Sequence, residues 1–463
     1  MPKEASRANG PVREDAPVGR PVVCGIVLAS LLGSVPVSAQ EESRPTQLFP
    51  IHPLASVTQE PTFEGAYGGP WNERPVLTGD WLGARDALRE RGITTRLNAT
   101  FLPQGIVSGG RRQEMEFGGR WDAYLDLDGE KLGLWRGLFV SVLGEANFGT
   151  GTQESTGSLG VPGYLLEFPE RKTPEVAISG VRIEQYLTDE MLVYFGRINT
   201  LDGFERAYRG DPLGVDGFLN GALMFPPVLA RTVPYVAYAA GVVVLRERVP
   251  VFSLHAYDTR DVPTTVGLNN LFENGIVLLA ESTIATRFFG MPGHQTVGAV
   301  YSTGRYTALN PLPSLIGPVP EGDETTERRK GSWAAFYGFD QAVWVDPANE
   351  KRHWGVFGSA GISDGNPNPI RWSMDAGVGG ASPLPGRPLD TFGVAYYRLG
   401  LAPQVKDAPD RRTGVRDETG VELFYNARVT PWFELTPDVQ FINPARSAVD
   451  RSINVALRGR LLF

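Results

Sequence analysis

Residues 453–463, at the end of the chain, alternate apolar and polar side chains with a period of two. Every odd position except Gly459 is apolar, whereas Asn454, Arg458 and Arg460 fall on the other face. Successive side chains of a β-strand point to opposite faces, so this pattern predicts a strand with one apolar and one polar face. The chain then ends on Phe463. Such a strand fits a wall that separates lipid from water.

The same alternation recurs in three other parts of the chain. It is found at residues 93–101, 120–128 and 421–429, where charged and amide side chains share one face and apolar side chains the other. Each of these stretches predicts a β-strand, because an α-helix would repeat every 3.6 residues instead. The chain therefore repeats one kind of two-faced strand along much of its length.

The composition agrees with a protein of many short strands. The 463 residues include 55 glycines and 37 prolines, and only 21% are charged, which favours strands joined by turns over a helical bundle. A net charge of −8 without a basic run argues against nucleic acid as a partner. One cysteine, Cys24, and four scattered histidines predict neither a metal site nor a bound cofactor.

The N-terminus has the features of an export signal. An apolar run from Pro21 to Gly33 follows Arg13 and Arg20 and precedes the small-residue sequence Val37-Ser38-Ala39. We therefore expect residues 1–39 to be a cleaved signal peptide. No later run of about 18 apolar residues predicts a transmembrane helix. Two destinations remain, a soluble exported β-protein or a barrel in the outer membrane.

Alternation alone does not separate these two, because the strands of a soluble β-sandwich alternate in the same way. The terminal Phe463 and the lack of a helical core favour a transmembrane antiparallel β-barrel over residues 93–463. About sixteen to eighteen strand-like stretches are separated alternately by tight turns, such as 187–190, and by long segments, such as 307–330. We expect an all-β fold in which sixteen strands, an even number, form a barrel around an aqueous channel.

A short helix is predicted ahead of the barrel. In residues 77–92, Asp80 or Thr78 can cap a helix, and Gly92 can end it in a left-handed conformation. We expect this helix to plug or flank the barrel mouth after a periplasmic linker over residues 40–76. Within it, Asp80, Trp81 and Arg85 are predicted to be structural residues that fix the helix against the barrel.

Five motifs, in order, resemble the carbohydrate-selective outer-membrane porins of the OprB family. The resemblance lies in the motifs Leu77-Thr-Gly-Asp-Trp-Leu-Gly-Ala-Arg-Asp-Ala-Leu88 with Gly92-Ile93, Phe195-Gly-Arg-Ile-Asn199 with Phe204 and Phe218-Leu-Asn220, Phe357 to Asn366, Gly386-Arg-Pro-Leu-Asp390, and Glu422 to Pro444. It implies a sixteen-stranded barrel that conducts monosaccharides or similar small sugars by passive diffusion, and not an enzyme. Arg197 departs from the family, in which lysine is expected there.

A sugar channel needs charged or amide groups that bind hydroxyls, and aromatic faces that stack on the sugar ring. The side chains predicted to face the lumen and to do this are Arg96, Asp122, Tyr124, Glu145, Arg182, Glu184 and Arg197. For any one of them, the alternative role is only to solvate the pore and pair across strands. The expected partners are small carbohydrates, outer-membrane lipid and lipopolysaccharide, and the barrel-assembly machinery through Phe463, with a homotrimer possible.

Two other functions stay open from the sequence. The first is a porin for other small solutes, such as ions or carboxylates. The second is a secreted, soluble sugar-binding β-protein. A recognisable nucleophile motif or phosphate-binding loop is not found, so catalysis has little support.

Overall fold

The structure is a computed structural model that describes residues 67–169, 176–202, 207–246, 249–262, 264–265, 267–309, 327–406 and 414–463. The predicted signal peptide and most of the predicted linker lie outside these residues.

Within the described residues, sixteen antiparallel strands close into one barrel. Each strand pairs with its neighbours in sequence, and β1 closes the ring by pairing with β16. The strands are β1 Ile93–Gly110, β2 Met115–Asp128, β3 Leu138–Gly149, β4 Ala177–Thr188, β5 Met191–Asn199, β6 Val236–Arg246, β7 Val249–Asp258, β8 Ile276–Phe288, β9 Met291–Thr307, β10 Arg328–Asp346, β11 Asn349–Ser363, β12 Ile370–Ala381, β13 Thr391–Leu401, β14 Glu418–Thr430, β15 Phe433–Asn443 and β16 Asp450–Leu462. The expected all-β barrel of sixteen strands is confirmed.

Each strand has the two faces that the alternation predicts. On β2, Arg120 and Asp122 point inward and are buried, whereas Trp121 and Leu125 between and beyond them are exposed on the outside. Because the wall closes on itself, the outward side chains form an apolar belt around the barrel. Its exposed members include Phe117, Phe195, Leu254, Leu278, Val297, Tyr301, Trp333, Tyr337, Ile362, Met374, Leu423, Phe441 and Leu457. The barrel therefore presents a surface suited to lipid.

The connections differ between the two ends of the barrel. At the end that holds the first residue of β1 and the last of β16, consecutive strands are joined by tight turns such as 189–190, 289–290 and 347–348. At the opposite end the connections include 150–176 and 200–235. Short turns at one end and long loops at the other are the usual build of an outer-membrane barrel. The predicted tight turn at 187–190 is present.

Two of the long connections fold into the barrel. We call residues 150–169 the first inner segment; it includes the short helix α2, Gln153–Thr156. Residues 207–235 are the second inner segment and include α3, Gly221–Met224. The second segment packs its apolar side chains against the inner wall, where they form one buried cluster. Members of this cluster are Phe225, Val228, Leu229, Tyr257, Val277, Leu279, Val300 and Phe336.

A helix precedes the barrel. It spans Ala84–Glu90, which we number α1 in chain order. An Asp80 carboxylate oxygen accepts a hydrogen bond from the backbone N–H of Asp86 at 2.9 Å, so it satisfies a first-turn donor of the helix. Arg85 is buried between the rings of Tyr67 and Trp81 and donates to the carbonyl of Thr95 at 2.8 Å. These contacts hold α1 against β1 and support the structural roles predicted for Asp80, Trp81 and Arg85.

The last residue, Phe463, contacts the strands next to the closure of the barrel between β1 and β16. The backbone N–H of Phe463 donates to the carbonyl of Leu97 at 2.8 Å, and its ring lies 5.9 Å from that of Trp121. Phe463 therefore joins the aromatic side chains on the outer face. None of the helices in the described residues has the length and the apolar character needed to span a membrane.

A further short helix, α4, spans Pro403–Lys406 at the long-loop end. It belongs to the connection between β13 and β14.

Candidate functional site: the constricted lumen

The first inner segment is held to the wall by Arg120 of β2. Its guanidinium pairs with Asp122 at 2.6 Å and with Glu145, and it donates to the carbonyls of Leu165 at 3.3 Å and Phe168 at 3.4 Å. All three charged side chains are almost completely buried. An ion cluster this deep requires the full set of partners, because each buried charge has lost its hydration. Arg120 is thus an anchor between wall and segment.

The second inner segment is fixed at several points. Arg209 pairs with Asp375 of β12 at 2.5 Å, and both side chains are buried. Arg458 of β16 donates to the carbonyls of Gly214 at 3.0 Å and Gly217 at 2.7 Å. These bonds attach the segment to β12 and β16, and its apolar side chains pack against β7, β8 and β9 across the ring, so the segment crosses the lumen and narrows it.

A set of buried and partly exposed charges surrounds the remaining opening. The acids come mainly from the connection between β5 and β6, and the arginines come from the wall. Arg460 of β16 pairs with Asp216 at 2.8 Å, and Arg182 of β4 lies 3.7 Å from Asp202. Guanidinium donors on the wall therefore meet carboxylate acceptors on the inserted chain.

An aromatic ring lies within this set. The guanidinium of Arg96 is 4.1 Å from the centre of the Tyr124 ring and 3.5 Å from the Asp126 carboxylate. Arg96 and Tyr124 are neighbours across the β1–β2 ladder, since the register pairs them directly. Both retain partial exposure. The opening thus combines hydrogen-bond donors, acceptors and one ring face.

Asp211 of the second inner segment is an acid whose charge changes near neutral pH. Burial, together with the nearby charge of Asp216, raises the pKa of the Asp211 carboxyl to about 7. Burial also raises the pKa of Asp202. Removal from water disfavours the charged form of an acid, which explains the direction of both shifts.

Six of the seven predicted pore-lining residues lie on the inward face. Arg96 and Tyr124 border the opening, whereas Asp122 and Glu145 are buried in the Arg120 anchor. Arg182 and Glu184 pair with each other at 2.6 Å and are also largely buried. The inward face was predictable from the alternation, but the cover by the inner segments was not. The part of these six side chains in binding solute remains a prediction.

The expectation for Arg197 is wrong. Arg197 is on the face of β5 opposite to Tyr194 and on the same face as Phe195, which is 56% exposed on the outside. Its guanidinium donates to the carbonyls of Val262 and Thr265 in the connection between β7 and β8. Arg197 therefore ties this connection to the outer face of the wall, and it is not part of the pore lining.

Several residues of the constriction were not among the pore-lining residues predicted from the sequence. Arg120, Arg458 and Arg460 follow the inward alternation of β2 and β16, which was the available signal for them. Asp202, Asp211 and Asp216 lie in a connection without periodicity, so no sequence pattern could find them. Among the described residues, no group of three or more His, Cys, Asp and Glu side chains is arranged to hold a metal ion.

Comparisons with known proteins agree with this architecture. The family model described as "Carbohydrate-selective porin, OprB family" matches residues 112–463. The predicted N-terminal motif, Leu77 to Ile93, therefore precedes the matched range. No curated protein matches the sequence significantly.

Solved structures show the fold. The high-pH structure of Pseudomonas putida OprB has a TM-score of 0.69 and 18% identity, covering 85% of this chain and 100% of that chain. The low-pH structure of the same protein gives a TM-score of 0.51 and 16% identity over 85% and 99%. Salmonella typhi OmpF, in complex with daunomycin, gives 0.50 and 9% over 81% and 99%. At these identities the likeness establishes the barrel, whereas the family match covers most of the chain. The chain belongs to the carbohydrate-selective porins of the OprB family.

Proposed function

We propose that this porin lets neutral monosaccharides and similar small sugars diffuse passively across the outer membrane. The observation that supports the proposal is the pairing of wall arginines with segment acids around one tyrosine ring. A sugar presents hydroxyls that both donate and accept hydrogen bonds, together with a weakly apolar ring face. The opening offers a partner for each of these.

The balance of charge favours sugars over carboxylates. Charges of both signs border the opening. Arg96 lies 3.5 Å from Asp126, and Arg460 pairs with Asp216 at 2.8 Å and lies 3.6 Å from Glu434. Because cations and carboxylates are paired there, a charged solute gains attraction from one sign and repulsion from the other. Diffusion of ions or carboxylates is the second candidate, and the barrel fold is compatible with it.

The fold and the family indicate a channel and not an enzyme, and they indicate an outer-membrane protein. The soluble, secreted β-protein considered from the sequence is contradicted by the closed barrel and its apolar belt. Further parts of the proposal are cleavage of residues 1–39 during export, recognition of Phe463 by the barrel-assembly machinery, contact with lipopolysaccharide and assembly as a homotrimer. They are supported by the signal-like N-terminus, the strand ending in Phe463 and the outward apolar face.

Current block in planar bilayers tests the sugar site. We expect neutral hexoses to block the wild-type current, and R96A to weaken the block by roughly five-fold, as the loss of about 1 kcal/mol implies. The control is R305A, since Arg305 is an exposed residue of β9 and is not among the charges of the opening. Equal block in wild type and R96A would contradict the assignment of Arg96.

A further inference from the structure

Two glutamates of β14, Glu418 and Glu422, make the same unusual contact with different inner segments. Glu418 accepts hydrogen bonds from the successive backbone N–H groups of Leu159 at 2.6 Å and Gly160 at 2.7 Å. Glu422 accepts from the successive N–H groups of Leu219 and Asn220, the latter at 2.9 Å. Both side chains are completely buried. Each carboxylate therefore holds one inner segment by two adjacent backbone donors.

The spacing of the two glutamates determines where the segments are attached. They lie four residues apart on the same inward face of β14, which separates them by roughly 13 Å along the strand. Glu418 is further fixed by the N–H of Ala445 at 3.0 Å and the hydroxyl of Tyr397 at 3.1 Å. The strand thus offers two attachment points at different depths of the lumen.

The two segments are also bonded to each other. The N–H of Gly221 donates to the carbonyl of Val161 at 3.0 Å, and the N–H of Tyr164 donates to the carbonyl of Leu219 at 3.1 Å. Gln440 of β15 bridges both, since it donates to the carbonyl of Pro162 at 2.8 Å and accepts from the side chain of Asn220 at 3.1 Å. These bonds join the two inner segments into one unit, which we call the two-segment body.

We propose that Glu418 and Glu422 are positioning residues that dock this two-segment body to β14 and thereby set the width of the channel. A carboxyl group suits both places, because its two oxygens face two adjacent backbone donors. A glutamine would turn its NH₂ group toward one of the N–H groups. Glu422 also shares a hydrogen bond with the carboxyl group of Asp438 on β15. The sugar-facing charges of the second segment, Asp211 and Asp216, depend on this docking for their position.

The test is single-channel recording in KCl of the full-length E422A, E422Q and E418A channels. We expect E422A to show a larger conductance and added open-channel noise, with wide substates at least roughly ten-fold more populated, because both backbone hydrogen bonds to the segment are lost. E422Q, which keeps one acceptor, should be intermediate. The matched control is D340N, which removes a buried inward carboxylate that pairs with His294 at 3.0 Å on the wall.

A purely structural role for Glu422 would lower the yield or thermal stability of folded barrels but leave each inserted channel with wild-type conductance. That result in E422A overturns the proposal, and heat-modifiable migration on gels identifies the folded fraction. Should E422A not assemble, E422Q decides in the same way, since its side chain has the wild-type size.

This proposal rests on the proposed function only where Asp211 and Asp216 are described as facing the sugar. If wild-type channels do not discriminate between sugars, the proposed function fails, whereas the change in KCl conductance still tests the docking by Glu422. If wild type discriminates and E422A conducts as wild type, the docking fails alone.

Discussion

Replacing Arg120 by methionine should destabilise the barrel strongly. Methionine fills most of the volume but leaves Asp122 and Glu145 buried beside each other without their cation. Breaking a buried ion cluster from one side costs about 3–5 kcal/mol. The two carbonyl bonds to Leu165 and Phe168 are lost as well, and each contributes about 1 kcal/mol or more. We therefore expect R120M to lose at least ~3 kcal/mol of unfolding free energy.

The assay is reversible unfolding in denaturant, followed by tryptophan fluorescence of the barrel in lipid vesicles. Two comparisons separate buried charge from general damage. The variant R120M/D122N/E145Q removes the unpaired charges and should recover most of the loss. R136M breaks a pair with Asp189 at 3.7 Å whose side chains are 78% and 79% exposed, and should change stability by less than ~1 kcal/mol. A loss of stability in R120M no larger than that in R136M, or a triple variant no more stable than R120M, would contradict the proposed role of Arg120 in balancing the buried carboxylates.

Three further outcomes are expected. Because the pKa of Asp211 is raised to about 7, its carboxyl is charged above and neutral below that pH. Lowering the pH from about 8 to about 6 should therefore decrease the cation selectivity of the wild type, read from reversal potentials, but not that of D211N. G92A should destabilise the barrel by more than the roughly 1–2 kcal/mol of left-handed strain, since φ is +88° and a Cβ would lie 2.7 Å from that of Lys131. G133A, with φ +81° and open space around it, should show only the strain; equal thermal stability of the two would contradict the steric reading. R197M should leave sugar block unchanged, because Arg197 donates hydrogen bonds to the connection between β7 and β8 and not to the opening. A weaker block in R197M would show that Arg197 contributes to the pore lining.

The barrel wall could be predicted from the sequence because successive side chains of a strand point to opposite faces, so apolar and polar residues alternate along it. The inward and outward sets of β2, β14 and β16 appear in the structure as the alternation predicts. A helix before β1 was predicted over residues 77–92, and Gly92 has the expected left-handed conformation, but the helix itself spans only Ala84–Glu90 and Gly83, not Asp80 or Thr78, lies at its N-cap. These are local signals, carried by neighbouring residues.

The constriction could not be predicted in the same way. Contacts such as Glu422 with Leu219 join residues about two hundred positions apart, and the inner segments have no periodicity. Asp122 and Glu145 were placed on the correct face, but only the folded segment shows that they are buried under it. Arg197 was placed on the wrong face: it was predicted to line the lumen, but it lies on the outer face, where the connection between β7 and β8 covers it.

The swelling of liposomes that contain the wild-type protein tests the proposed sugar channel most directly. Neutral hexoses and hexuronates of similar size are compared at equal osmotic strength, with protein-free liposomes as the baseline. We expect rapid swelling with the neutral sugars and slower swelling with the uronates. Equal or faster entry of the uronates would contradict the proposed preference for neutral sugars, and no swelling with either would contradict the channel itself.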